Sequence, residues 1–142
     1  MTDHVGAPPV RVYAESIDGP AEPDRTQDQA FITLRHANGS VSSVGYLAGG
    51  DKAFPKERIE VIGGGRVGVI DDFRATTIIR SGRTTRKKLG AQDKGHRAEM
   101  VAFLEAVRDG GAPPIAWSDL RAVSRASILA VRSMQEGVPL DV

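Results

Sequence analysis

Ala30-Phe31-Ile32-Thr33-Leu34-Arg35-His36, Ala37-Asn38-Gly39-Ser40, and Val41-Ser42-Ser43-Val44-Gly45-Tyr46-Leu47-Ala48 decide how this chain folds. Two runs rich in β-branched and aromatic residues flank Asn38-Gly39, the strongest short hairpin signal. With a two-residue turn, both Asn38 and Gly39 take positive φ. Phe31 then opposes Tyr46 and Thr33 opposes Val44 on one face. Ile32 opposes Gly45 and Leu34 opposes Ser43 on the other. Apolar groups stand on both faces, so the reading expects both to be at least partly covered; a sheet with one wet face alternates more cleanly.

Working outward, the same grammar repeats. Residues 10–16 alternate like a strand and are entered from a loop at Pro8-Pro9. Residues 18–28 are polar and proline-rich and read as a mobile loop. Residues 57–62 and 66–71 form a further strand pair across Gly63-Gly64-Gly65. Residues 75–80 and 83–89 follow across Ser81-Gly82. Helical signals come only afterwards. Asp93 is placed to cap a first helix carrying Met100, Phe103, Leu104 and Val107 at helical spacing, stopped by Gly110-Gly111 and Pro113-Pro114. A second helix begins near Trp117, capped by Ser118 or Asp119, and ends at Gly137. Its many small residues (Ala122, Ser124, Ala126, Ser127, Ala130, Ser133) permit close packing on a sheet or on the other helix. Consecutive strands followed by helices indicate an α+β domain. The expectation is an open, largely antiparallel mixed sheet with two C-terminal helices packed on one face. One domain is expected over residues 1–142: an entry segment at 1–9, a sheet at 10–89 and a helical part at 93–137.

Composition narrows the function. The 142 residues are 40% hydrophobic and 26% charged. A chain of this length buries about 70% of the surface its unfolded form exposes, enough for one core. No apolar run reaches membrane-spanning length. Met1-Thr2-Asp3-His4 has neither the basic nor the apolar region of a signal peptide. Cysteine is absent, which removes thiolate nucleophiles and cysteine-ligated metals and fits a cytoplasmic protein. The net charge of +1 gives no general attraction to nucleic acid or anionic lipid. Neither is an expected partner.

Gly63-Gly64-Gly65-Arg66-Val67-Gly68 matches G-x-G-x-x-G, but strand-like Val67, Val69 and Ile70 follow where a phosphate site needs a helix N-terminus. The run reads as a glycine turn, and no cofactor-binding residue is assigned. The basic run Arg80, Arg83, Arg86, Lys87, Lys88, Lys94 and Arg97 lacks interleaved aromatics and reads as a solvated edge strand and loop. Asp51-Lys52-Ala53-Phe54-Pro55-Lys56-Glu57-Arg58 is denser in chemistry: Lys52 and Lys56 are ammonium donors for an anionic or hydroxylated substrate. Lys94-Gly95-His96 opens the first helix, and His96 is a donor or proton-transfer candidate there. His4 and His36 stand isolated. No histidine and carboxylate cluster has metal-ligand spacing, and no complete catalytic set can be assembled.

The order of these features resembles the C-terminal domain of the Gfo/Idh/MocA oxidoreductases, relatives of glucose–fructose oxidoreductase and inositol dehydrogenase. The resemblance is carried by Phe31-Ile32-Thr33-Leu34-Arg35, the Asn38-Gly39-Ser40-Val41 turn and Val69-Ile70-Asp71-Asp72-Phe73. It continues through Lys94-Gly95-His96-Arg97-Ala98-Glu99-Met100 with Phe103, and Ala106-Val107 with Gly110. It implies a domain rather than a whole enzyme. Family members add a Rossmann domain that binds NAD or NADP, a Glu-Lys-Pro motif and a His-x-x-Asp helix. None of the three is present here: Ala7 stands where the aspartate would follow His4. The expected function is the substrate-binding and oligomerisation domain of an NAD(P)-dependent sugar or polyol oxidoreductase, catalytically silent alone. Lys52, Lys56, Lys94 and His96 are its candidate substrate contacts, and no catalytic or metal-binding residue is assigned. The expected partners are a missing or separate Rossmann domain, a small-molecule substrate, and a second copy joined through the sheet face. The alternative is a stand-alone, non-enzymatic module that binds a ligand or partner.

Overall fold

A computed structural model describes residues 6–17 and 28–142. The loop expected at 18–28 therefore lies, except for Asp28, outside the described residues, as do the first five residues of the entry segment. The strands are β1 (Pro9–Ser16), β2 (Gln29–His36), β3 (Val41–Leu47), β4 (Arg58–Gly63), β5 (Arg66–Asp71), β6 (Ala75–Arg80), β7 (Arg83–Lys88) and a short β8 (Leu140–Asp141). The helices are α1 (His96–Asp109) and α2 (Trp117–Glu136). Every strand pairing is antiparallel, and the strands form two sheets of four, ordered β3-β2-β1-β8 and β4-β5-β6-β7. The α+β architecture with antiparallel sheet is the one expected. The chain divides into two compact units: the residues up to Gly50 with Ile115–Val142, and Asp51–Pro114.

In the first unit the hairpin forms where Asn38-Gly39 signals it, but with a different register. Phe31 faces Gly45, Ile32 faces Val44, Thr33 faces Ser43 and Leu34 faces Ser42. The loop has three residues, Ala37, Asn38 and Gly39, closed by His36 N–H donating to Ser40 O (2.9 Å) and Gly39 N–H to His36 O (2.9 Å). Of the three, only Gly39 takes positive φ, at 85°. The expected two-residue turn needs two left-handed residues. A type I turn followed by one left-handed glycine needs only one. The difference of one residue exchanges every pairing across the hairpin.

The corrected register separates the faces. Val12 and Ala14 of β1, Ala30, Ile32 and Leu34 of β2, and Val44 of β3 share one face, and α2 packs over it. Small residues at helical spacing, Ala126, Ala130 and Ser133, let that helix come close. Their cluster with Val12, Ala14 and Leu34 is the core, flanked by Ile32, Leu129, Met134, Leu140 and Val142. Fully burying a side chain such as Val12 or Leu34 contributes roughly 1.5–3 kcal/mol. Phe31, Thr33, Arg35, Val41, Ser43 and Leu47 lie on the opposite face, where the Phe31 ring crosses Gly45 and is 54% exposed. The expectation that both faces are covered thus rested on the slipped register. Leu34 and Val44 belong to the helix-covered face.

Buried polar groups tie this unit together. Ser133 Oγ donates to Val138 O (2.6 Å) and accepts from Ala14 N–H (3.1 Å), joining the end of α2 to β1. His36, read as isolated, is fully buried. Its Nδ1 donates to the carbonyl of Ala7 (3.0 Å), which can only accept, and its Nε2 lies 2.8 Å from Ser42 Oγ. The N-cap of α2 is Ala116 rather than Ser118 or Asp119, and Gly137 ends the helix as expected. Among the described residues, no helix is long and apolar enough to cross a membrane.

In the second unit, Gly64 (φ 54°) and Gly65 (φ 69°) turn β4 directly into β5, with Gly63 facing Arg66. A strand, not a helix N-terminus, follows the glycines, as the reading of that run required. Ser81-Gly82 turns β6 into β7. That last strand lies at the sheet edge with all its residues exposed, consistent with its lysines and arginines. Ala75 is the buried hydrophobic residue of this unit among the described residues. The α1 helix has no buried residue, and Met100, Phe103, Leu104 and Val107 are exposed along it. Its N-cap is Gly95. Asp93 acts two residues earlier, its Oδ1 accepting from Gly95 N–H (2.9 Å).

Candidate functional site

A cleft of about 680 Å³ lies wholly within the second unit. Three segments wall it. The first is the loop before β4. There Asp51 Oδ1 accepts from Ala53 N–H (2.8 Å) and Asp51 O from Phe54 N–H (3.0 Å), a local turn that presents Lys52, Phe54 and Lys56. Phe54 is 76% exposed. The second is the β5–β6 connection, where Asp72 (φ 48°) and Phe73 (φ 51°) are both left-handed without being glycine. The third runs from the end of β7 through Lys88, Leu89, Gln92 and Lys94.

Hydrogen bonds hold the strained connection in place, as such a conformation requires. Asp72 N–H donates to Glu57 O (2.7 Å), Leu89 N–H to Arg74 O (2.7 Å) and Asp93 N–H to Phe73 O (3.1 Å). Gln92 Nε2 donates to both the carbonyl (3.1 Å) and the carboxylate (2.9 Å) of Asp72. The three segments are therefore stitched to one another at their bases.

The charges of the cleft are unevenly matched. Asp72 pairs with Arg74 (3.0 Å), Asp71 with Arg86 (3.5 Å) and Glu57 with Lys94. The second carboxylate oxygen of Glu57 is buried without a hydrogen-bond partner, so Lys94 carries the compensation of that group. For Asp72, burial pushes the carboxyl upward, but the hydrogen bond and charge of Arg74, together with Glu57, outweigh it and hold the carboxyl below its ordinary range. Every carboxylate lining the cleft is engaged. Lys52, Lys56 and Lys88 have no ion-pair partner among the described residues.

Of the sequence-derived candidates, Lys52, Lys56 and Lys94 line this one cleft. His96 does not: it is the exposed first residue of α1, just beyond Lys94. The structure adds Asp71, Asp72, Arg74, Arg86, Lys88 and Gln92. Arg86 and Lys88 were read as parts of a solvated edge. Strand alternation held the missing signal, because positions 86 and 88 share one face of β7 while Lys87 takes the other.

No family model matches the chain, and no curated protein does. Solved structures do match it. An aldose–aldose oxidoreductase from Caulobacter crescentus complexed with glycerol superposes with a TM-score of 0.78 at 19% identity, over 96% of this chain and 42% of that one. A UDP-N-acetylglucosamine 3-dehydrogenase from Acidithiobacillus ferrooxidans gives 0.74 at 20% identity, over 92% and 42%. A levoglucosan dehydrogenase complexed with NADH and L-sorbose gives 0.75 at 16% identity, over 95% and 45%. These structural neighbours are Gfo/Idh/MocA-type oxidoreductases, and the fold is theirs. The chain spans less than half the length of each.

Proposed function

We propose that this chain is the substrate-binding and self-associating domain of an NAD(P)-dependent sugar or polyol oxidoreductase. The observation that carries the reading is the likeness in fold over nearly the whole of this chain, set against less than half of each sugar oxidoreductase it matches. The remaining part of such an enzyme supplies the nucleotide site and the hydride chemistry. In this reading no residue of the chain reacts. Lys52 and Lys56 donate to the substrate and Lys94 is held by Glu57 at the edge of the same cleft, while His96, outside the lining at the start of α1, is not among the contacts. The exposed sheet face around Phe31, Val41 and Leu47 joins two copies.

Calorimetric titration of the purified chain tests the division of labour. NADH and NADPH are expected to give no binding heat, while a polyol substrate shifts the amide resonances of residues 52–57. Micromolar nucleotide binding overturns the reading, because the chain then holds its own nucleotide site.

A further inference from the structure

We infer that the ligand of the cleft is anionic, a carbohydrate bearing a phosphate or carboxylate, rather than a neutral sugar; this rests on the cleft being the substrate site. A sugar hydroxyl both donates and accepts, so a neutral-sugar site offers it both kinds of partner. Here the carboxylate charges are matched within the protein, although Glu57 keeps one buried oxygen without a hydrogen-bond partner. Glu57, Asp71 and Asp72 are taken by Lys94, Arg86, Arg74 and Gln92. The donors left over are Lys52 and Lys56 from the loop and Lys88 from the end of β7. A group that only accepts, with charge to match, complements them.

The surplus is local. The whole chain carries a net charge of only +1, so three unmatched ammonium groups around one cleft do not reflect a generally basic surface. They repel one another when the cleft is empty, and a concave wall concentrates their field. Lysine also suits an oxyanion whose orientation is not fixed in advance, because its three donors rotate about a point charge. Phe54, largely exposed on the same loop, offers an apolar wall to the carbon face of a sugar ring. The Asp72–Arg74 and Glu57–Lys94 pairs position the walls and make no claim on the ligand.

The test titrates the intact chain with pyrophosphate, glucose 6-phosphate, glucuronate and glucose, following amide resonances at low and high salt. At least one of the two anionic sugars is expected to bind about tenfold more tightly than glucose, a difference of about 1.4 kcal/mol. The shifts should centre on residues 51–57 and 86–94 and weaken with salt. The two sugars separate phosphate from carboxylate recognition. Lys52→Gln, Lys56→Gln and Lys88→Gln together should remove the preference while leaving the circular dichroism spectrum unchanged. Equal affinity for glucose and the anionic sugars within the cleft overturns the anionic assignment and leaves the substrate site standing. Failure of pyrophosphate and both anionic sugars alike to give a saturable shift within the cleft at millimolar concentration overturns the anionic assignment as well. Shifts that centre outside residues 51–96 for every probe overturn the substrate site itself.

Discussion

Ser133 satisfies two backbone groups at once, the N–H of Ala14 and the carbonyl of Val138. Ser133→Ala removes both partners within a buried site. It should cost about 1–3 kcal/mol, read as a lower denaturation midpoint in urea with unchanged slope. Asp72 makes a pH prediction. Its carboxyl is held low in the folded protein, so its contribution to stability is complete above the unfolded value of about 3.9 and is lost only as pH falls through the lower folded value. Arg74→Gln removes the main cause. The Asp72 carboxyl resonance should then titrate at higher pH, and an unmoved midpoint would show that the pair does not form in solution. Legibility at this scale was uneven. Lys52 and Lys56 stand out in the sequence because charged residues crowd one short loop. Arg74 does not, because the turn at Asp72 and Phe73, with its two left-handed non-glycine residues, brings it to the cleft through space and has no sequence signature.

At the scale of elements, the hairpin and both helices were legible from Asn38-Gly39 and from apolar residues at helical spacing. Loop length was not, because the same dipeptide serves both turns: Ala37 ends the strand in the two-residue form and joins the loop in the three-residue form, where Asn38 is no longer left-handed. Gly39→Ala puts a Cβ at φ 85° and should destabilise by about 1–2 kcal/mol. The helices differ as sharply as their burial. Ala130→Leu forces extra volume between α2 and β1 and should cost about 1–3 kcal/mol. Phe103→Ser lies on the exposed α1 and should change the chain's own stability by no more than about 0.5 kcal/mol. Equal effects of the two substitutions in thermal unfolding would contradict the assignment of the core.

For the molecule as a whole, the register determines which residue probes self-association. Phe31 projects from the open face of its sheet, whereas Leu34 is only 5% exposed beneath α2. If two copies meet through the open face, Phe31→Glu yields a species of half the mass by light scattering with its circular dichroism spectrum intact. Leu34→Glu buries a charge and unfolds the chain instead. An unchanged mass for Phe31→Glu would place the contact elsewhere.

The sheet that holds the core is assembled from distant stretches. In the first unit β1 lies between β2 and β8, and the β8 pairing is only two residues long, Arg11 with Asp141 and Val12 with Leu140. A ribosome delivers β1, β2 and β3 first, then all of Asp51–Pro114, and only then α2 and residues 140–142. Throughout that interval the nascent hairpin displays a bare apolar face, and β1 an open hydrogen-bonding edge. Translation speed across residues 51–114 thus sets how long that edge stays open to pairing with another strand.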